Sequence, residues 1–207
     1  MAEALDPESH EPINLKDPMI AGLLAWLVPG LGHWYQGRRE KAVLYFVAIM
    51  GLFLFGLILG GGATYRDVDG REHHTGYGRG VYFSWNPEKR LHYLGQVGVG
   101  LAAMPALLQA ALMNHNEKVL WGGFMAPPWP SDAMRSAAGR DNPNFDQPTR
   151  AELDRWLNRR FELAGVFGLI AGLLNVLAIY DACAGPVPPA SKKDEEPREE
   201  KKDEAAA

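Results

Sequence analysis

The chain has 207 residues and a mass of 22.8 kDa, room for one domain, with 47% hydrophobic and 22% charged residues and a formal net charge of -4. That balance leaves no basic footprint for nucleic acid, and a single cysteine, Cys183, excludes an intramolecular disulfide. A mean hydropathy of -0.19 suits a soluble protein, but the average hides a segregation: charge is missing from four long windows and gathered in the tails and two loops, as a bilayer demands.

Residues 1–18 are acidic (Glu3, Asp6, Glu8, Glu11, Asp17) with Lys16 as the one cation. They lack the cationic start of a signal peptide, so the apolar run that follows is expected to be retained, and the tail itself to be flexible. The first window, 19–35, covers roughly 26 Å as a helix and is interrupted by Pro29-Gly30, which makes it a short span or a re-entrant segment. The second, 42–63, carries no charge and reaches roughly 33 Å, enough to cross a hydrocarbon core. Between them Gln36-Gly37-Arg38-Arg39-Glu40-Lys41 packs three cations into a short turn, which favours the cytoplasmic side.

In the polar stretch 64–93, Asp69-Gly70 predicts a tight hairpin turn flanked by Tyr65-Arg66-Asp67-Val68 and later by Val81-Tyr82-Phe83. Tyr82, Phe83, Trp85 and Tyr93 suit a headgroup layer. The third window, 94–113, is uncharged but holds Gln96, Pro105 and Gln109, whose polar groups need protein partners at membrane depth. Residues 114–149 are proline-rich and irregular, a functional surface or a mobile one. Thr149-Arg150-Ala151-Glu152 fits a capping box. The helix it opens sets Leu153, Trp156, Leu157 and Phe161 against Arg150, Arg155, Arg159 and Arg160, the pattern of an interfacial helix. The fourth window, 163–181, ends at Asp181. Gly168 and Gly172, like Gly56 and Gly60 in the second, form small-xxx-small pairs that let backbones approach. The charged, proline-containing tail 186–207 cannot bury enough apolar surface to order itself. The expected fold is therefore an all-α integral membrane domain over 19–185 with about four transmembrane helices, a small polar loop hairpin and an interfacial helix.

The most specific string is the corner made by Pro29, Gly30, Gly32, His33, Tyr35 and Gly37. Proline removes a donor, the glycines permit a tight reversal, and Trp34 and Tyr35 anchor the turn. This P-G-x-G-x-x-Y-x-G spacing, followed by basic residues, resembles the hairpin motif of the two-transmembrane-helix (TM-two) family, with a different order and spacing of the histidine and aromatic pair. Leu174-Asn175-Val176-Leu177-Ala178-Ile179-Tyr180-Asp181-Ala182 is similar to a last-span ending closed by an aspartate. The whole layout over residues 18–186 most resembles a four-span bacterial family of planctomycete type, domain of unknown function 6677. That resemblance implies no known activity.

Little in the sequence carries chemistry. His33 reads as a histidine at the wet corner of a hairpin, with proton handling as the sharper alternative. His73-His74, His92 and His115 lack the spacing of a metal site. The glycines at 60–62 and 76–80 lack phosphate-binding patterns, and neither a serine nor Cys183 sits in a nucleophile context. No catalytic residue, cofactor or metal is expected. The leading expectation is a structural or interaction module without catalysis in the bacterial cytoplasmic membrane, with the bilayer and a membrane-protein partner or second copy around it. The alternative is a small transporter or channel component in which Gln96, Gln109, Asn175 and Asp181 converge on a cavity.

Overall fold

Pro29 and Gly30 decide the first element. In the computed structural model, which describes residues 3–5, 12–14, 16–66, 72–84 and 93–185, helix α1 (Pro18–Leu27) opens on Asp17, whose carboxylate accepts from the amides of Met19 and Ile20. Proline at 29 cannot continue the ladder, and Gly30 takes a left-handed conformation (φ 84°) that starts the short helix α2 (Leu31–Tyr35). The chain then folds back. Lys16 Nζ donates to the Tyr35 carbonyl, and Gly32 lies so close to α1 that a Cβ there would come within 2.9 Å of Ala25 Cβ. Both ends of the first window therefore sit at the same end of the molecule.

Among the described residues two helices are long and apolar enough to cross a membrane: α3 (Arg39–Leu59) and α7 (Arg159–Ala184). The third window splits into Tyr93–Ala103 and a helix α4 (Pro105–Asn114), bent by 108° at Met104, and adds a third span only if the pair is one. Gly100 (φ 81°) kinks its first half, which is 3-10 from Val97 to Ala103. The four windows are thus two long helices and two broken segments, and α1 with 10 residues is too short to cross alone.

The last helix, α7, is the hub, packing against α3, α1 and the 3-10 segment. Its buried face is a stripe of small residues (Ala164, Gly165, Gly168, Ala171, Gly172, Ala178, Ala182) around Asn175. Its exposed face carries Leu163, Ile170, Leu173, Leu177 and Tyr180. A Cβ on Gly56 would lie 3.0 Å from the Ala164 carbonyl oxygen, one on Gly98 2.5 Å from that of Gly172, and one on Gly172 would fall on the Gly95 carbonyl. Backbones meet directly where side chains are absent.

The termini of these elements sort into two ends. Lys16, Pro18, Tyr35 to Arg38 and Asp181 to Cys183 share one, with Cys183 Sγ 3.4 Å from the Pro18 carbonyl. At the other, Arg160 donates to the Gly61 carbonyl (2.8 Å), and Arg79 reaches the Gly122 carbonyl and Gln147. The bent third segment leaves this second end beside Gly80 and returns to it, since Gln109 of α4 bonds Leu120 and Phe124.

Several expectations change in detail. The acidic stretch 1–18 includes a short antiparallel pair that its charge pattern did not suggest, β1 (Glu3–Leu5) and β2 (Pro12–Asn14). Its register pairs Ala4 with Ile13 and Leu5 with Pro12. The loop hairpin exists as β3 (Thr64–Arg66) and β4 (Glu72–His74), in register Thr64 to His74, so the returning strand is 72–74 and not 81–83. The nearer partner closes the shorter loop. Its Asp69-Gly70 turn, Trp85, His92 and the tail 186–207 lie outside the described residues.

The 114–149 stretch is built around Asn144, which accepts from the Val119 amide and donates to the Glu117 carbonyl, while Trp129 donates to its carbonyl. It also holds helix α5 (Asp132–Ala138), whose Arg135 pairs with Glu152. The capping box at Thr149 and Glu152 opens α6 (Arg150–Leu157), and Asn158 (φ 53°) separates it from α7. The apolar face of α6 does not turn outward. Leu153, Leu157 and Phe161 are buried with Ala63, and Trp156 stacks on Tyr65 at 3.6 Å.

Candidate functional site

The corner and the end of the last helix, 148 residues apart in sequence, form one polar cluster. His33, on α2, is fully buried because Gly32 lets that helix close onto α1 and α7. Its Nε2 lies 2.7 Å from Asp181 Oδ2, and Arg38 Nη2 donates to the same oxygen at 2.7 Å. Gln36 Nε2 donates to the Ala182 carbonyl (2.6 Å), and the His33 ring packs on Tyr45 with centroids 4.7 Å apart. With Nε2–H donating to the carboxylate, a neutral imidazole leaves Nδ1 as an acceptor, and no donor reaches it among the described residues. A guanidinium and a carboxylate neutralise each other, and the histidine converges with the guanidinium on one carboxylate oxygen. The arrangement closes a corner onto a helix end.

A second junction lies deeper. Asn175 is fully buried, and its Nδ2 donates to the carbonyls of Ala25 (3.0 Å) and Gly98 (2.8 Å). The first of these bonds has a local cause. In an uninterrupted helix the Ala25 carbonyl would accept from the amide of residue 29, and Pro29 has none. Asn175 supplies the missing donor. It thereby joins the two broken segments, which meet where Gly100 abuts the Trp26 carbonyl.

The remaining expected polar residues behave alike but apart. Gln96 Nε2 donates to the carbonyls of Gly80 (3.2 Å) and Gly165 (3.1 Å). Gln109 donates to Leu120 and Phe124 and accepts from the Leu120 amide. So His33 and Asp181 come together, while Gln96, Gln109 and Asn175 each hold separate backbone carbonyls and do not converge. Pro29, Gly30, Gly32, Tyr35 and Gly37 shape the corner, Gly37 with φ 87° at its exit. Among the expected histidines, His74 Nδ1 sits 3.0 Å from Thr64 Oγ1. Among the described residues no three His, Cys, Asp or Glu side chains gather.

Two residues of this chemistry were not legible as site residues. Arg38 read only as one of three cations in a turn. Arg79 sits between Gly78 and Gly80 without a motif. It is 4% exposed, bonded to Gln147 and the Gly122 carbonyl, with Nε unpartnered among the described residues. Burial pulls its guanidinium down to about 10, which still leaves it cationic at neutral pH.

Residues 20–195 match the model of a family described only as a family of unknown function (DUF6677). No curated protein and no solved structure matches the chain.

Proposed function

The chain belongs to that family, and since the family lends no activity we propose a role from the geometry: a multi-pass membrane protein of the bacterial cytoplasmic membrane, acting as a structural or interaction module without chemistry of its own. The observation that carries the reading is the inverted packing of the long helices. On α7 the buried positions are glycine and alanine with Phe161 and Asn175, and on α3 Ala42 and Gly56 are buried beside Ile49, Phe53 and Leu57, while Val43, Leu44, Val47, Ile58, Leu173 and Leu177 face outward. Such surfaces are costly in water and at no disadvantage among acyl chains. In this reading α3 and α7 cross, and the first and third windows dip in from opposite sides. The four apolar windows thus keep their place in the bilayer, but only two traverse it. The likeness of the corner to a TM-two hairpin is part of the same reading, with Asp181 as the anchor of the corner.

Absence of catalysis is part of this reading because, among the described residues, the buried amides donate to backbone carbonyls and His33 and Arg38 both pair with Asp181. A second reading, a small transporter or channel component, is favoured by the acceptors left over in the interior: Asn175 Oδ1 and Gln96 Oε1 are buried without a donor among the described residues. The test is in two stages. The expressed chain should stay with the membrane pellet after alkaline carbonate, and recovery in the supernatant without detergent refutes the membrane reading. Reconstituted in vesicles, it should leave proton and small-ion leak at the level of empty vesicles, whereas leak abolished by Asn175→Leu favours the transport reading.

A further inference from the structure

Where α1 turns into α2, an apolar groove of about 270 Å³ opens between the corner and α3, walled by Val28, Pro29, Leu31, Trp34, Val43 and Phe46. Its floor is the close approach of Gly30 to α3, where a Cβ would fall on the Ala42 carbonyl. Trp34 (53%), Val43 (53%) and Phe46 (46%) are open to the outside. One cation stands at its mouth: Arg39 lies over the Trp34 ring, 5.6 Å from the centroid.

The helix wheel singles this arginine out. At about 100° per residue the groove face of α3, set by Ala42, Val43 and Phe46, centres about 15° from Arg39, while Glu40 points roughly 115° away and Lys41 roughly 145° away. Among the described residues Arg39 has no carboxylate within salt-bridge distance, unlike Arg38, which holds Asp181. The N-cap of α3, Arg38, makes no side-chain capping bond, and Arg39, the first residue of the helix, sits at the positive end of its dipole. From Arg39 to Phe46 the groove runs about 10 Å along the helix, the depth of the upper part of one acyl chain.

Resting on the membrane reading above, we propose that this groove is a binding site for one anionic phospholipid, with its phosphate on Arg39 and one acyl chain laid along Trp34, Val43 and Phe46 to the Pro29-Gly30 floor. Cation and groove together select an anionic lipid over a zwitterionic one, because a choline beside the phosphate would offset the charge that Arg39 offers.

The test uses the full chain, first extracted with detergent. Should it prove soluble without detergent, the membrane reading falls before any lipid is added. Native mass spectrometry then follows titration with phosphatidylglycerol or phosphatidylcholine. The wild type should retain one phosphatidylglycerol in preference to phosphatidylcholine. Arg39→Gln should weaken that retention roughly fivefold, and Arg155→Gln, at the other end of the molecule, should leave it unchanged. Val43→Trp, which fills the groove, should lower retention of both lipids. Brominated phosphatidylglycerol should quench the wild type more than Trp34→Phe. Equal retention of the two lipids by the wild type overturns the proposal even if a variant fails to fold. So does unchanged retention in a folded Arg39→Gln, or a lipid-free dimer in which a second copy fills the groove.

Discussion

Replacing Asn175 by leucine tests the central junction, because the sign of each contribution can be worked out. Two donations are lost, to Ala25 and Gly98. Hydrogen bonds between helices in bilayers contribute about 0.6 kcal/mol on average and up to about 1.7, so the pair contributes about 1–3 kcal/mol. The loss lies toward the upper end, since Pro29 leaves the Ala25 carbonyl no other donor. Against this, leucine also removes the unpartnered Oδ1, which returns about 1 kcal/mol, the low end of the cost of an unsatisfied buried polar atom, because the same side chain is held through Nδ2. The net expectation is a destabilisation of about 1–2 kcal/mol. Asn175→Asp should be worse than leucine, because it keeps the shape but turns a carboxyl group toward two carbonyl oxygens. Unfolding in mixed detergent and dodecyl sulfate micelles measures both variants, and hydrogen exchange should rise in residues 18–36 and 97–103 together. A leucine variant as stable as wild type, or more so, refutes the account of Asn175 as the donor that holds both broken segments.

Asp181→Ala leaves Arg38 and the buried His33 without their shared oxygen. Removing one partner of a buried pair costs about 3–5 kcal/mol, and because Asp181 is 18% exposed and Arg38 9%, water relieves part of this, leaving about 2–3 kcal/mol by the same unfolding assay. A loss below about 0.5 kcal/mol, the range of ordinary surface changes, counts against the cluster. Gly172→Ala drives a Cβ into the Gly95 carbonyl and should prevent folding or lower the melting temperature sharply. Gly51→Ala, on the same kind of helix with nothing within 4 Å, should be neutral or stabilising by up to about 1 kcal/mol. Equal effects of the two would remove the argument from close backbone approach. In a Cys183→Ser background, single cysteines at Ser84 and Ser136 should label from one side of the membrane and one at Glu40 from the other. Labelling of Ser84 and Ser136 from opposite sides would mean that the third window crosses.

The apolar windows, the capping box at Thr149 and the close-packed glycines were legible because each is a local pattern: hydropathy, a four-residue motif, a spacing of four. Whether a window crosses was not local. The first window folds back because Gly32 can sit on α1 and because Asp181, far along the chain, meets His33. A histidine in a corner looks the same in sequence whether its partner is water or a distant carboxylate. The same limit grouped Gln96, Gln109, Asn175 and Asp181 as one path. An amide inside an apolar stretch reads identically whether it faces a cavity or a carbonyl, and only the positions of Gly80, Ala25 and Leu120 separate the cases. Arg79 left no signal beyond a charge among glycines.

The first broken segment depends on a helix far along the chain. The Ala25 carbonyl and the His33 imidazole take their partners from residues 175 and 181 of α7, so neither is satisfied by the first hairpin alone. At membrane depth such groups are costly while unpaired. The small-residue stripe of α7 answers this by letting the helix approach closely enough for one side chain to bond two carbonyls at once, since Gly98 stacks on Gly172 with no side chain between them. The glycines and the asparagine are therefore one device: larger residues at 98 or 172 would hold the backbones apart, and Asn175 would then span only one of its two acceptors.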